Sequence, residues 1–205
     1  MTAPVVPADD PSAVERAAEA LLAGGLVVLP TETVYGLAAL ASDPVATRAL
    51  FERKGRGADV PVAVLCADAE QALALSHRQP SRATELAEAH WPGPLTMVLP
   101  RRPGLGWALG EPTDTIGLRC PDHELVRALA SRVGPLATTS ANRHGLPTPA
   151  SATEAAEQLL GDVDLVLDGG SLSGTPSTVV DLTGDAPRVL RQGGIDIDAI
   201  GAGSA

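Results

Sequence analysis

Residues 26–29 read Leu-Val-Val-Leu, a short apolar and β-branched run that suits a buried strand. Pro30 follows directly and cannot continue a hydrogen-bond ladder, so the chain must leave its sheet there. It leaves into Thr31-Glu32-Thr33-Val34-Tyr35-Gly36-Leu37, which places two hydroxyls, a carboxylate and the only tyrosine of the chain at a strand end. Further apolar runs at 62–65, 95–99, 115–119, 136–139, 164–167, 178–182 and 188–190 read as strands. Helical patterns at 12–23, 43–53, 68–76, 81–90, 122–132 and 152–160 alternate with them. Ser12 and Pro44 are placed to open the first two helices, and Gly24-Gly25 closes the first. The alternation predicts an α/β fold with a large, open, twisted and mixed β-sheet flanked by helices.

One domain over residues 12–198 accounts for this pattern, and residues 1–11 and 201–205 are expected to be flexible tails. Residues 100–114, with three Pro and three Gly, read as an exposed loop. No stretch approaches the roughly 18 apolar residues of a membrane span, and Met1–Pro11 lacks the pattern of a signal peptide, so a cytoplasmic location is expected. Cys66 and Cys120 stand apart, with no paired spacing that would suggest a zinc site.

Charge narrows the ligand class. A formal net charge of −10 and only four aromatic side chains disfavour a broad nucleic-acid face, which needs many cations or stacking rings. A local cationic pocket remains open, because a few converging Arg and Lys side chains can oppose the global field.

Polar groups gather at the ends of the expected strands, where open α/β sheets place ligands. Lys54-Gly55-Arg56 follows a helix; it reads either as a solvated helix end or as a phosphate site offering a point charge and a planar fork. Thr138-Thr139-Ser140-Ala141-Asn142 emerges from an apolar strand with dense donors. Thr115 and Arg119 share one strand face by the period of two, and Arg119 suits a carboxylate. Ser177-Thr178 opens a strand and Arg191-Gln192-Gly193-Gly194 closes the last. None of these groups is a nucleophile with a paired base, so the chemistry expected is positioning and charge stabilisation.

In order along the chain, Pro30-Thr-Glu-Thr-Val-Tyr-Gly-Leu37, Lys54-x-Arg56, Trp91-Pro-Gly-Pro-Leu-Thr96, Ser140-x-Asn142, Ser177-Thr178 and Arg191-x-Gly193-Gly194 resemble the YrdC-type threonylcarbamoyl-AMP synthase family. The resemblance covers roughly residues 12–198 and implies a YrdC-like fold with a concave, cationic cleft. It implies a nucleotidyltransferase reaction in which L-threonine, bicarbonate or CO₂, and ATP give threonylcarbamoyl-AMP and pyrophosphate, with Mg²⁺ accompanying ATP. The adenylate would feed threonylcarbamoyladenosine formation on tRNA through a separate transferase complex.

Position by position, the resemblance makes Lys54 and Arg56 the catalytic and phosphate-binding pair. Ser140, Asn142 and Arg191 fall on the nucleotide side, with Thr115 and Thr148 as further candidates. Thr33, Arg119 and Ser177 fall where the family holds threonine. Two positions depart from the pattern: Val60 stands where many members are polar, and Leu65 where some carry a histidine. The chain resembles the short, single-domain form, without the additional C-terminal domain of longer members. Two other readings stand beside this one. A hydrogenase-maturation carbamoyltransferase is disfavoured by the two cysteines and 205 residues. A non-catalytic nucleotide or double-stranded RNA binding module is the other, its RNA form disfavoured by the net charge.

Overall fold

A computed structural model describes residues 3–172 and 174–196; residues 197–198 of the expected domain and the expected tail at 201–205 lie outside the described residues. Ten strands form one sheet among them, β1 (Val5–Pro7), β2 (Val27–Leu29), β3 (Gly36–Leu40), β4 (Ala63–Leu65), β5 (Leu95–Pro100), β6 (Thr115–Arg119), β7 (Leu136–Ser140), β8 (Leu165–Asp168), β9 (Thr178–Asp181) and β10 (Arg188–Arg191). Six helices flank it, α1 (Ala13–Leu22), α2 (Pro44–Lys54), α3 (Ala69–Leu73), α4 (Ser81–His90), α5 (Glu124–Val133) and α6 (Ala152–Gln158). The spatial order is β1-β8-β2-β3-β7-β4-β6-β5-β9-β10. Parallel pairings (β1–β8, β2–β8, β4–β6, β5–β9) mix with antiparallel ones, as the alternating pattern predicts.

Two elements depart from the sequence reading. Val5–Pro7, expected within a tail, is an edge strand paired parallel with β8, and Val6 is buried. Gly36–Leu40, to which the sequence reading assigns no element, is a five-residue strand antiparallel to both β2 and β7. Gly-Leu-Ala-Ala-Leu lacks the β-branched content that marks strands, and its pairing partners, not its propensity, hold it extended.

The period of two assigns each central strand two faces. Leu37 and Ala39 of β3, Val64 of β4, Leu95, Met97 and Leu99 of β5, Ile116 and Leu118 of β6 and Ala137 of β7 enter the larger core, together with apolar residues of α2, α4 and α6. On the opposite face, α1 and α5 cover one end of the sheet, burying Ala17, Leu21, Val126 and Leu129 against β2, β7 and β8. The other end of that face carries small and polar residues: Gly36, Ala63, Thr96, Gly117 and Thr138, with Arg119 among them. Among the described residues no helix lies over them, and the uncovered half-face is the floor of a cleft.

Candidate active site

The cleft has a volume of about 390 Å³ and is lined by three arginines, Arg56, Arg119 and Arg191, and by hydroxyls from Thr33, Thr96, Thr115, Thr138, Ser140, Thr148 and Ser177. Among the described residues no carboxylate lines it, although Glu32 stands against Arg119. Eight residues singled out in the sequence therefore meet there: Thr33, Arg56, Thr115, Arg119, Ser140, Thr148, Ser177 and Arg191. Lys54 and Asn142 lie behind Ser140 instead of on the surface of the cleft.

Helix α2 delivers the first cations. Asp43 caps its N-terminus, accepting from Val45 N (2.8 Å) and Ala46 N (3.1 Å), and Pro44 occupies the first turn. Gly55 ends it in the left-handed region (φ 64°), where a residue without Cβ is favoured. The chain reverses there, so Lys54 points inward and Arg56 reaches the cleft. Arg56 sits over the Phe51 ring at 5.8 Å, and its Nε is buried with no hydrogen-bond partner among the described residues. Lys54 is 3% exposed and donates to Ser140 O (2.6 Å), Ser140 Oγ (2.9 Å) and Asn142 Oδ1. Burial, and secondarily the charge of Arg56, pull its pKa down to about 7.

The turn after β2 builds the opposite end. Thr31 Oγ1 accepts from the backbone N–H groups of Thr33 and Val34 (both 3.1 Å) and donates to Val34 O (2.7 Å), so it shapes the turn. Thr33 is thereby fixed to accept from Arg119 Nη2 at 2.9 Å. The same nitrogen lies 2.8 Å from Glu32 Oε2, and Arg119 Nε donates to Gly93 O at 3.3 Å. Tyr35 takes no part in the cleft. It is fully buried, donates to Gly170 O (2.7 Å) and accepts from Gly169 N (3.0 Å), tying the start of β3 to the end of β8.

The last strand closes the third side. Arg191 Nε and Nη2 donate to Ser177 O at 3.1 and 2.9 Å, and Nη2 also to Ser177 Oγ at 2.9 Å. Its pKa is lowered by burial first and then by the charge of Arg119. Of the three cations only Arg119 has a carboxylate, Glu32, within ion-pair distance among the described residues, so the cleft keeps an excess of positive charge that favours an anion.

Several lining residues escaped the sequence reading. Thr96 appears there only within a motif, yet its hydroxyl is 2.9 Å from Ser177 Oγ. Leu109, Gly110 and Pro112 come from the segment read as an exposed loop. Leu109 is buried, and Arg101 anchors that segment by donating to Trp107 O (2.7 Å) and Leu105 O. Of the two departures, Leu65 pairs in register with Arg119 and lines the cleft, whereas Val60 is exposed and outside it.

The Sua5/YciO/YrdC family model, described as telomere recombination, matches residues 19–193. The chain belongs to this family. A Mycobacterium tuberculosis member is 45% identical over 88% of this Sua5/YciO/YrdC chain and 84% of its own length. A Pyrococcus abyssi member named threonylcarbamoyl-AMP synthase is 42% identical over 86% of this chain, which spans 53% of that relative. The crystal structure of P. abyssi Sua5 complexed with L-threonine superposes with a TM-score of 0.87 at 41% identity, covering 92% of this chain and 56% of that one. The YrdC-like architecture expected from the sequence is thus the one adopted. Among the described residues no helix is long and apolar enough to cross a membrane.

Proposed function

We propose that this chain is a nucleotidyltransferase that condenses L-threonine, bicarbonate or CO₂, and ATP into threonylcarbamoyl-AMP with release of pyrophosphate. The observation that carries the reading is the meeting of Arg56, Arg119 and Arg191 with a field of hydroxyl donors on one uncovered half-face, where among the described residues Glu32 is the one carboxylate paired to any of the three. Such a site suits two anions held side by side. The relatives named for this synthase, and the one solved with L-threonine, support the same assignment.

Arg119 and Thr33 form one end, with Ser177 beside them, and receive the amino acid's carboxylate; Leu65 supplies an apolar neighbour. Arg56, Ser140, Thr115 and Thr148 receive the nucleotide, with Lys54 and Asn142 behind Ser140 and Arg191 at the junction. The threonine amine and bicarbonate form the carbamate with loss of water. A carbamate oxygen then attacks the α-phosphorus, the bond from that phosphorus to the α,β-bridging oxygen breaks, and pyrophosphate leaves with the electron pair. The protein's part is to align the two anions and neutralise charge as it shifts to the leaving group.

Mg²⁺ prefers oxygen ligands such as carboxylates, and the cleft lining offers hydroxyls and cations. The residues do not make a resident metal site, so Mg²⁺ is assigned to the ATP phosphates as part of the substrate, and no step is placed on it. The product would pass to a separate transferase complex for threonylcarbamoyladenosine formation on tRNA. Pyrophosphate release that requires both threonine and bicarbonate, with the adenylate detected by mass, tests the reading. Release that needs neither would overturn it.

A further inference from the structure

Two cations of the cleft end in the same local geometry, on opposite sides of it. Lys54 Nζ donates to both the carbonyl and the hydroxyl oxygen of Ser140, at 2.6 and 2.9 Å. Arg191 Nη2 donates to both the carbonyl and the hydroxyl oxygen of Ser177, each at 2.9 Å. Ser140 ends β7 and Ser177 precedes β9; the two share no local sequence, and both line the cleft.

Counting protons shows what this geometry does. A lysine ammonium has three N–H groups and no acceptor. The three go to Ser140 O, Ser140 Oγ and Asn142 Oδ1, and the side chain does not line the cleft. Asn142 is itself fixed, because its amide nitrogen donates to Leu146 O. Lys54 therefore has no N–H left to offer a phosphate. Ser140 Oγ accepts from the ammonium, and its own proton meets no acceptor among the described residues.

On the Ser177 side the cation differs, since Arg191 lines the cleft and its Nη1 has no partner among the described residues, but the serine's hydroxyl is placed in the same way. That hydroxyl accepts from Arg191 and shares one hydrogen bond with Thr96 Oγ1 at 2.9 Å. Thr96 is buried, lines the cleft and makes no other side-chain hydrogen bond among the described residues. Two hydroxyl protons are available and one hydrogen bond joins them. Whichever group donates, one proton is left for a ligand.

We propose that Lys54 and Arg191 are positioning residues. Each clamps a serine through that serine's own carbonyl and hydroxyl and so turns a polarised O–H into the cleft. Ser140 then donates to the nucleotide's phosphate, and the Ser177–Thr96 pair donates to the amino acid's carboxylate beside Arg119. The assignment of the two ends rests on the synthase reading. A cation bonded to a hydroxyl oxygen strengthens that hydroxyl as a donor, so the charge acts on the ligand through the serine. Arg191, placed by resemblance on the nucleotide side, keeps its Nη1 for that role while Nε and Nη2 clamp Ser177, and Thr96 joins the binding set.

Two double-mutant cycles test this, read as calorimetric affinities for ATP alone and threonine alone. Lys54→Met and Ser140→Ala should each weaken ATP binding about tenfold, the scale of one charge-assisted hydrogen bond. The double variant should be no weaker than the worse single one. Arg191→Met and Ser177→Ala should show the same non-additivity in threonine affinity, and Ser177→Thr, which keeps the hydroxyl, should restore it. Effects that multiply in the first cycle would mean a direct lysine–phosphate contact and would overturn the clamp. Unchanged threonine affinity in Arg191→Met would overturn it as well. Thermal melts establish that each variant folds; should Lys54→Met fail, the Arg191 cycle decides alone, since Arg191 lies at the exposed end of β10. Affinity for both ligands without adenylate formation by the unmodified protein would refute the synthase reading while the cycles still judge the clamp.

Discussion

Arg56 and Arg119 enter the same cleft by different routes, and their loss should be felt at different kinetic constants. Arg56 follows the left-handed turn at Gly55; Nη2 makes one long bond to Pro61 O (3.4 Å) and Nε has no partner among the described residues, so most of its donors remain for phosphate. Arg56→Ala should lower turnover by about 10²–10³-fold, the loss expected when one preorganised donor to developing charge is removed. Near-normal pyrophosphate release by that variant would exclude Arg56 from the chemistry. Arg119 presents a planar fork held by Thr33, Glu32 and Gly93. Arg119→Lys keeps the charge and loses the fork, so the KM for threonine should rise about tenfold or more while that for ATP holds. Lys54 makes a prediction about stability. Its pKa falls from 10.5 to about 7 on folding, so the Ser140 clamp carries its full charge below about pH 7, and between those values the unfolded chain keeps the proton more than the folded chain does. Stability from this group must then rise with pH above about 7. The thiols Cys66 and Cys120, pushed up by burial, oppose it above about 9. Urea unfolding at pH 7 and 8.5 should show a gain that Lys54→Met abolishes; an equal gain in the variant would refute the assignment. These side chains were legible as anion binders in the sequence. Their partners were not, because Lys54 meets Ser140 across 86 residues and Thr96 meets Ser177 across 81.

At the level of elements, α2 shows how local rules set the site. Asp43 at its N-cap, Pro44 in the first turn and Gly55 beyond its end are each readable from sequence, and together they fix where Lys54 and Arg56 emerge. Asp43→Ala should cost about 1 kcal/mol of stability by urea unfolding, with KM values unchanged, since the cap lies a full helix away from the cleft. A stability change near zero would show that the cap bonds are compensated elsewhere. The strands with β-branched or long apolar residues were recognisable for the same local reasons. Strand β3 was not, because Gly36 and its alanines carry no strand signal; β2 and β7 on either side impose the conformation. Strand β1 is only three residues and closes on Pro7, and it exists through its pairing with β8. Tyr35 shows the reverse error. Its place among polar groups suggested chemistry, while its hydroxyl closes a backbone junction at Gly169 and Gly170.

At the scale of the whole molecule, the uneven covering of one sheet face decides both what binds and what does not. Helices α1 and α5 seal one end, and the cleft occupies the rest with three arginines inside a chain of net charge −10. Small anions reach that local field, whereas a long polyanion must also lie along the acidic exterior. Non-specific RNA binding grows with the number of phosphates neutralised, and three clustered arginines allow few. Fluorescence anisotropy with a double-stranded RNA should therefore give a dissociation constant weaker than about 10⁻⁴ M at physiological salt. The log–log salt slope should not exceed about 3, one unit per neutralised phosphate. ATP should compete with whatever binding is seen, because both would draw on the cations of the one cleft, Arg56 first among them. A micromolar affinity with a steep slope, untouched by ATP, would place an RNA site outside the cleft and revive the binding-module reading. The charge balance argues for the opposite result, since every cation the cleft gathers stands against an excess of carboxylates elsewhere in the chain.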